Sequence, residues 1–334
     1  MHVIRVRGIN EALPAGLRHL TEVGQPRPSR AGDVVVSPYP VTTVYERPVE
    51  RVLFWPVRDA NPFFHLFSAL WCIAGRNDAA FLNLFVHDYG ERFTDNGIVA
   101  GAYGHRWRHW PTVFGEEKDQ LVRVIEYLRR NRDGRRAVLA MWDPDRDLYT
   151  GETTLDVPCN SHIYLWQSLG GRDEPNRLSM TVCCRSNDII WGAYGENSVV
   201  FSVLQEYVAA HLGLAVGPLY QISNNFHAYV ALYDKLRSAL RESQPPDHYK
   251  NNQVAPYPLV LEPETWDMDL ALFMEDPGSN GFRNRFFSRV AKPLFFSHEA
   301  WRRKDWDAAF ACVDQCAASD WALAVRQWLE RRRK

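Results

Sequence analysis

Between residues 61 and 75 (NPFFHLFSALWCIAG) apolar residues recur at helical spacing, with Phe64, Phe67, Trp71 and Ala74 on one face. Asn61 is placed to cap this helix, Pro62 suits its first turn and Gly75 its stop. Ser68 shares the inward face, either as a small core serine bonded to the helix backbone or as a site residue. A second amphipathic helix is predicted over 119–131, and a strand over 135–142 (RRAVLAMW). Period-two alternation predicts strands over 162–168 (HIYLWQS) and 177–184 (RLSMTVCC), joined by a polar loop at 169–176. Residues 195–213 read as a helix that turns Val200, Val203, Leu204, Tyr207 and Val208 inward. Nearer the N-terminus, a polar loop at 26–33 precedes the strand-like run VVVSPYPVTTVYE. Strands and helices interleave without a regular β-α-β rhythm, so the expected class is α+β. From about residue 262 the pattern turns helical, Trp-rich and charged, which predicts a main domain over 1–261 and a helical extension over 262–334.

Composition narrows the function classes. The formal net charge of -1 supplies no global basic field for a nucleic-acid polymer. Only six of the 39 basic residues are lysine. Arginine suits a bidentate grip on phosphate, although genome base composition also favours it. The cysteines at 72, 159, 183, 184, 312 and 316 include no C-x-x-C pair, and 312/316 has no matching pair nearby, so no metal site is expected. The N-terminus carries charges where a signal peptide would be apolar, and no apolar run approaches the ~20 residues of a membrane span. A reducing, cytoplasmic setting without structural disulfides is the expectation.

Cys159 then stands out, in a Pro-Cys-Asn turn just before an alternating strand (DVPCNSHIYLW, 156–166). If the two predicted strands pair antiparallel, the segment CRSND returns Arg185, Ser186 and Asp188 to its side. A neighbouring guanidinium lowers a thiol's pKa and favours a nucleophilic thiolate. Arginines with Ser186 suit a phosphate, and Arg135 and Arg136 open another strand with two fixed cations. On these residues alone, Cys159 is open to the readings of core residue and nucleophile.

The ordered motifs SRAG, LWCIAGRND, YGHRW, RR, PCN, CRSND, GAYGEN and NNFHAY, spread from roughly 27 to 260, resemble the thymidylate synthase family and its pyrimidine-nucleotide hydroxymethylase branch. The resemblance implies a mixed sheet packed with helices and a catalytic domain over 1–261. It also implies a homodimer with shared active sites, a pyrimidine nucleoside monophosphate as substrate and 5,10-methylenetetrahydrofolate as cofactor. By the same resemblance, Cys159 adds to C6 of the pyrimidine, and Arg185 and Ser186 hold the 5′-phosphate with Arg30. Arg135 and Arg136 reach the partner's phosphate, Asp188 contacts the folate, and His227 and Tyr229 bond the sugar hydroxyl. Tyr103 assists proton removal at C5, and Asn197 falls near the amide that reads the base, in a segment one residue longer than in the methylating enzymes. The chemistry explains the parts. C5 becomes nucleophilic only once C6 carries an adduct, and a thiolate both attacks and leaves well. Hydride then gives a methyl product and water a hydroxymethyl product.

Several departures bear on that choice. Asn160 stands where methylating enzymes usually carry histidine, a change seen in hydroxymethylase-like relatives. The chain ends LERRRK instead of in an apolar tail that excludes water. Glu196 precedes Asn197; a carboxylate there accepts from the N4 amine of cytosine, unless it is simply an exposed glutamate at a helix start. Ser68 occupies the place of a family glutamate, and a hydroxyl is no carboxylate base. Another acid replaces it, water is handled differently, or the chain is impaired. The expected reaction is hydroxymethylation of CMP or dCMP. The alternatives are a thymidylate synthase or dUMP hydroxymethylase, and a silent nucleotide-binding homologue.

Overall fold

Alternating side chains of the predicted hairpin sort themselves between core and solvent. Asn160–Ser168 pairs antiparallel with Arg177–Cys184. The computed structural model describes residues 1–94, 96–148, 156–168, 170 and 175–333, so most of the connecting loop expected at 169–176 lies outside the described residues. Four more strands complete the main sheet, in the order His2–Val6, Val41–Tyr45, Ala215–Ser223, Arg177–Cys184, Asn160–Ser168 and Val138–Ala140. Ala215–Ser223 runs parallel to Arg177–Cys184 and antiparallel to Val41–Tyr45, so the sheet is mixed and the class is α+β. Ile163, Leu165, Met180, Val182 and Leu219 are buried on the inner face. On the outer face Tyr164 and Trp166 are exposed, and Tyr164 lies in register with Val138 and Thr181, which in turn pairs with Tyr220.

Helix Asn197–Leu212 covers the inner face. Its residues Ser198 to Ala209 are buried without interruption, which makes it a core helix. Gln205 donates from Nε2 to the carbonyls of Leu178 and Gly217 at 2.8 and 3.0 Å, fixing helix to sheet. The helix starts two residues later than its sequence pattern predicts, because a wide π-helical turn, Ile189–Glu196, kinked at Tyr194 and Gly195, leads into it. Such a turn takes up an extra residue without unravelling the helix behind it.

Helix Pro62–Ile73 is capped as its sequence predicts. Asn61 Oδ1 accepts from the Phe64 N–H at 3.1 Å, and Gly75 takes a φ of 72° just past the end. The C-terminal segment folds as Pro263–Glu275, Lys292–Arg302, Trp306–Asp314 and Ser319–Arg332, and its Trp266, Phe273, Phe287, Trp321 and Trp328 extend the same core. Phe273 stacks on Phe67 at 5.8 Å, and Trp328 meets Phe63 edge-on at 5.5 Å. Buried polar bonds tie the parts together: Tyr249 donates to Asp320 at 2.8 Å, and Arg51 pairs with Glu206. At the end of the last helix, Arg331 and Arg332 both pair with Asp59.

Two predicted strands are corrected. The run 34–46 breaks at its prolines into Val34–Val36 and Val41–Tyr45, which join different sheets. The strand expected over 135–142 shrinks to Val138–Ala140, an edge strand paired on one side only. Arg135 and Arg136 therefore lie exposed ahead of it instead of being fixed within it. Among the described residues no helix is long and apolar enough to cross a membrane.

Candidate active site

The hairpin returns Arg185 to Cys159: the Arg185 N–H donates to the Cys159 carbonyl at 2.9 Å. Its guanidinium folds over the Pro-Cys turn, donating to the carbonyls of Pro158 at 2.9 Å and Val157 at 3.0 Å, with the Trp142 ring 5.5 Å away. The expectation that this cation lowers the thiol's pKa is overturned in the net. Burial pushes the Cys159 thiol up, the pull of Arg185 runs the other way, and Asp156 and Asp188 add to the rise. An exposed guanidinium engaged with two carbonyls does not offset the loss of water around a sulfur atom.

Asp156, which sequence reasoning passed over, belongs to the same pocket. Its Oδ2 accepts from the Gly101 N–H at 2.8 Å, and burial raises its pKa. Tyr103 begins helix Tyr103–Arg108 and stacks on Phe201 at 5.7 Å. Burial, with the charges of Cys159, Cys184, Asp156 and Glu196, drives its phenol well above the ordinary range. Gly104 brings this helix against helix Pro62–Ile73: a Cβ there would stand 1.6 Å from the Cys72 carbonyl oxygen. Buried Arg106 then locks the segment, bonding Asp147 at 2.6 and 2.7 Å and the carbonyls of Met141 and Ala100.

The neighbours Glu196 and Asn197 face different partners. Glu196 hydrogen-bonds to Ser68, and burial, reinforced by Asp156 and opposed by Ser68, pushes its carboxyl up to about 7. It is thus no exposed helix-start glutamate. Ser68 is fully buried, and its hydroxyl also donates to the His65 carbonyl at 3.4 Å. Asn197 instead donates to Asn187 Oδ1 at 3.4 Å, and Asn187 donates to Ser223 Oγ at 3.1 Å. Asn160 is fully buried, and its Nδ2 donates to the carbonyls of Cys183 at 2.9 Å and His162 at 3.3 Å. The structure gives that amide a place inside the hairpin bulge, next to Cys159 but bonded to backbone.

A second sheet assembles the rest. Asn187–Asp188 pairs parallel with Phe226–Tyr229, with Asp188 opposite His227, and Val34–Val36 pairs on the other side. Asp188 accepts from the N–H groups of Ile190 and Trp191, and burial raises its carboxyl while lowering the His227 imidazole. His227 contacts Asn225 Oδ1 at 2.9 Å and meets the Tyr229 ring edge-on. Tyr229 hydrogen-bonds to Ser29 and feels the charges of Arg30, Asp188 and Cys159. Arg30 thus lies by Tyr229, Arg185 lies on the Cys159 turn, and Ser186 is half-buried between Arg185 and the strand Asn187–Asp188. Arg135 and Arg136 lie exposed ahead of the edge strand Val138–Ala140. Two further residues were missed. Arg58 is buried, donates to the Ile190 carbonyl at 3.1 Å and lies 4.2 Å from the ring of exposed Trp191. Asp156 sits in plain view three residues before Cys159, and Arg58 just ahead of the capped helix; nothing in the spacing marks Trp191.

The thymidylate synthase family model matches residues 64–255. A deoxyuridylate hydroxymethyltransferase of Pseudomonas phage M6 is 45% identical over 100% of this chain and 95% of its own length. Proteins of the same name from Bacillus phage SP01 and Delftia phage PhiW-14 are 34% and 28% identical, over 58% and 73% of this chain and 50% and 66% of their own lengths. The relatives thus carry the name of the alternative, deoxyuridylate, and not of the expected cytidylate. The chain belongs to the thymidylate synthase family and is a one-carbon transferase that acts on a pyrimidine nucleotide with 5,10-methylenetetrahydrofolate.

Proposed function

We propose that the chain hydroxymethylates dUMP at C5. The observation that carries this reading is the divergence of Glu196 and Asn197: the acid engages Ser68, and the amide next to it bonds Asn187. Uracil presents an N3–H donor and an O4 acceptor, which an amide matches with its own acceptor and donor. The carboxylate that would favour cytosine, by accepting from its N4 amine, is instead engaged with Ser68. The names of the three relatives support the same substrate.

Each residue then has a task. Cys159 adds to C6, Tyr103 assists removal of the C5 proton, and Arg185, Ser186 and Arg30 hold the phosphate. His227 and Tyr229 bond the sugar hydroxyl. Asp188, beside the exposed Trp191 ring that stacks on Arg58, offers a carboxylate and an aromatic face, a donor set that fits a pterin. The folate supplies the one-carbon unit when bound. Water completes the product. The test is product mass from CMP, dCMP, UMP and dUMP, each with 5,10-methylenetetrahydrofolate. Hydroxymethyl-dUMP is expected; a methyl product or a preference for dCMP overturns the reading.

We further propose a homodimer through the outer sheet face. Tyr164, Trp166 and Val138 are exposed there, with Thr181 and Tyr220 half-buried beside them, and together they form a largely apolar surface. Arg135 and Arg136 at its edge would then reach the partner's nucleotide phosphate. Mixing Cys159→Ala with Arg136→Ala chains is expected to restore activity in heterodimers. Absence of rescue, in a sample shown to exchange subunits, assigns the arginines to their own chain.

A further inference from the structure

We propose that Glu196 is the proton-transfer group of the reaction: its carboxyl, bonded to Ser68 and set beside Asp156 and Tyr103 in the Cys159 pocket, takes the proton of the water that becomes the product's hydroxyl. This rests on the hydroxymethylation reading above. Once the one-carbon unit is attached as an exocyclic methylene, water's oxygen bonds to that carbon. The methylene's π electrons move to form C5=C6, the C6–S bond breaks, and Cys159 leaves as thiolate. The water proton needs a base at that carbon, and the thiolate departs from the other end of the system.

The groups facing Glu196 leave few candidates. Cys72 comes from helix Pro62–Ile73, Tyr89 from helix Tyr89–Phe93 and Tyr103 from helix Tyr103–Arg108; burial raises all three well above neutrality, so they stay protonated. Asp156 is the other carboxyl, and it is bonded to the Gly101 N–H. Ser68 suits both states of Glu196. It donates to the carboxylate, and it accepts from the acid while turning its own proton to the His65 carbonyl. This also accounts for a hydroxyl where the family resemblance leads one to expect glutamate. An acid at 68 would meet Glu196 as a second buried anion. The reactive acid has changed walls, from the helix to the turn opposite.

Glu196→Gln in the full-length chain tests this. With dUMP and 5,10-methylenetetrahydrofolate, kcat is expected to fall about 10²- to 10⁴-fold while dUMP affinity stays within about tenfold. A nucleotide adduct on Cys159, detected by mass, should accumulate. Wild-type kcat should rise with pH through about 7 as the carboxylate forms, and the variant should lose that limb. In folate-free protein, an infrared carboxyl band titrating in the same range should vanish with the substitution. Ser68→Glu should lower turnover. An active wild type whose Glu196→Gln variant keeps kcat and pH profile overturns the proposal. So does a variant that changes only affinity and base preference, which makes Glu196 a reader of the base. A wild type giving no hydroxymethyl product from any of the four nucleotides instead removes the reading on which the proposal rests.

Discussion

Replacing Cys159 with alanine is expected to abolish tritium release from C5-labelled nucleotide, with nucleotide affinity held within about tenfold. The hydrogen at C5 is labile only after C6 has been attacked, and no other cysteine is placed to attack. Cys184 is buried at the end of the paired strand, and Cys72 lies inside a core helix. Because burial holds the Cys159 thiol above its ordinary range, exchange in the wild type should quicken as pH rises toward that pKa. The contacts proposed for the nucleotide, from Arg185, Ser186 and His227, do not run through sulfur, which is why binding should survive. Exchange retained in the alanine variant would move the nucleophile elsewhere.

The second large effect concerns stability. Asp147→Ala is expected to cost about 3–5 kcal/mol, since it strands the Arg106 guanidinium in a buried site after removing both oxygens that pair with it. Against a total of about 5–15 kcal/mol for a folded domain, this threatens the native state itself. Chemical denaturation monitored by Trp fluorescence would measure it. A loss below about 1 kcal/mol would show that water reaches the cation and that the pair contributes as a surface pair does. Activity should fall with folding, because Arg106 also holds the Ala100 carbonyl beside the Gly101 N–H that bonds Asp156.

Much of this architecture is readable from local pattern. Asn61, Pro62 and Gly75 bracket their helix because capping and left-handed stops depend on the residues themselves. The hairpin is legible because alternation fixes which face of each run is buried, and antiparallel pairing of the two runs returns Arg185 to Cys159. What pattern does not carry is the direction in which a single side chain leaves a kink. Glu196 and Asn197 are adjacent, and only the turn before them decides that one meets Ser68 and the other Asn187. The sign of the Cys159 shift escaped for a related reason. An arginine next in space is visible from pairing, whereas the depth of burial is a property of the whole fold. Arg135 and Arg136 show the limit from the other side, since a strand-like run at a sheet edge need not pair along its length.

The wide turn at Ile189–Glu196 has a meaning for how such a protein can change through descent. One inserted codon in a regular helix would rotate everything after it by about 100° and bury the wrong face. Here the extra residue that the family resemblance implies falls in the kinked π-helical stretch, and the long helix behind it stays packed. A lineage can therefore sample a new functional group at the mouth of this helix in one genetic step, while its core carries no mutational load. The position facing it on the other wall is then released from selection for an acid and free to drift to serine.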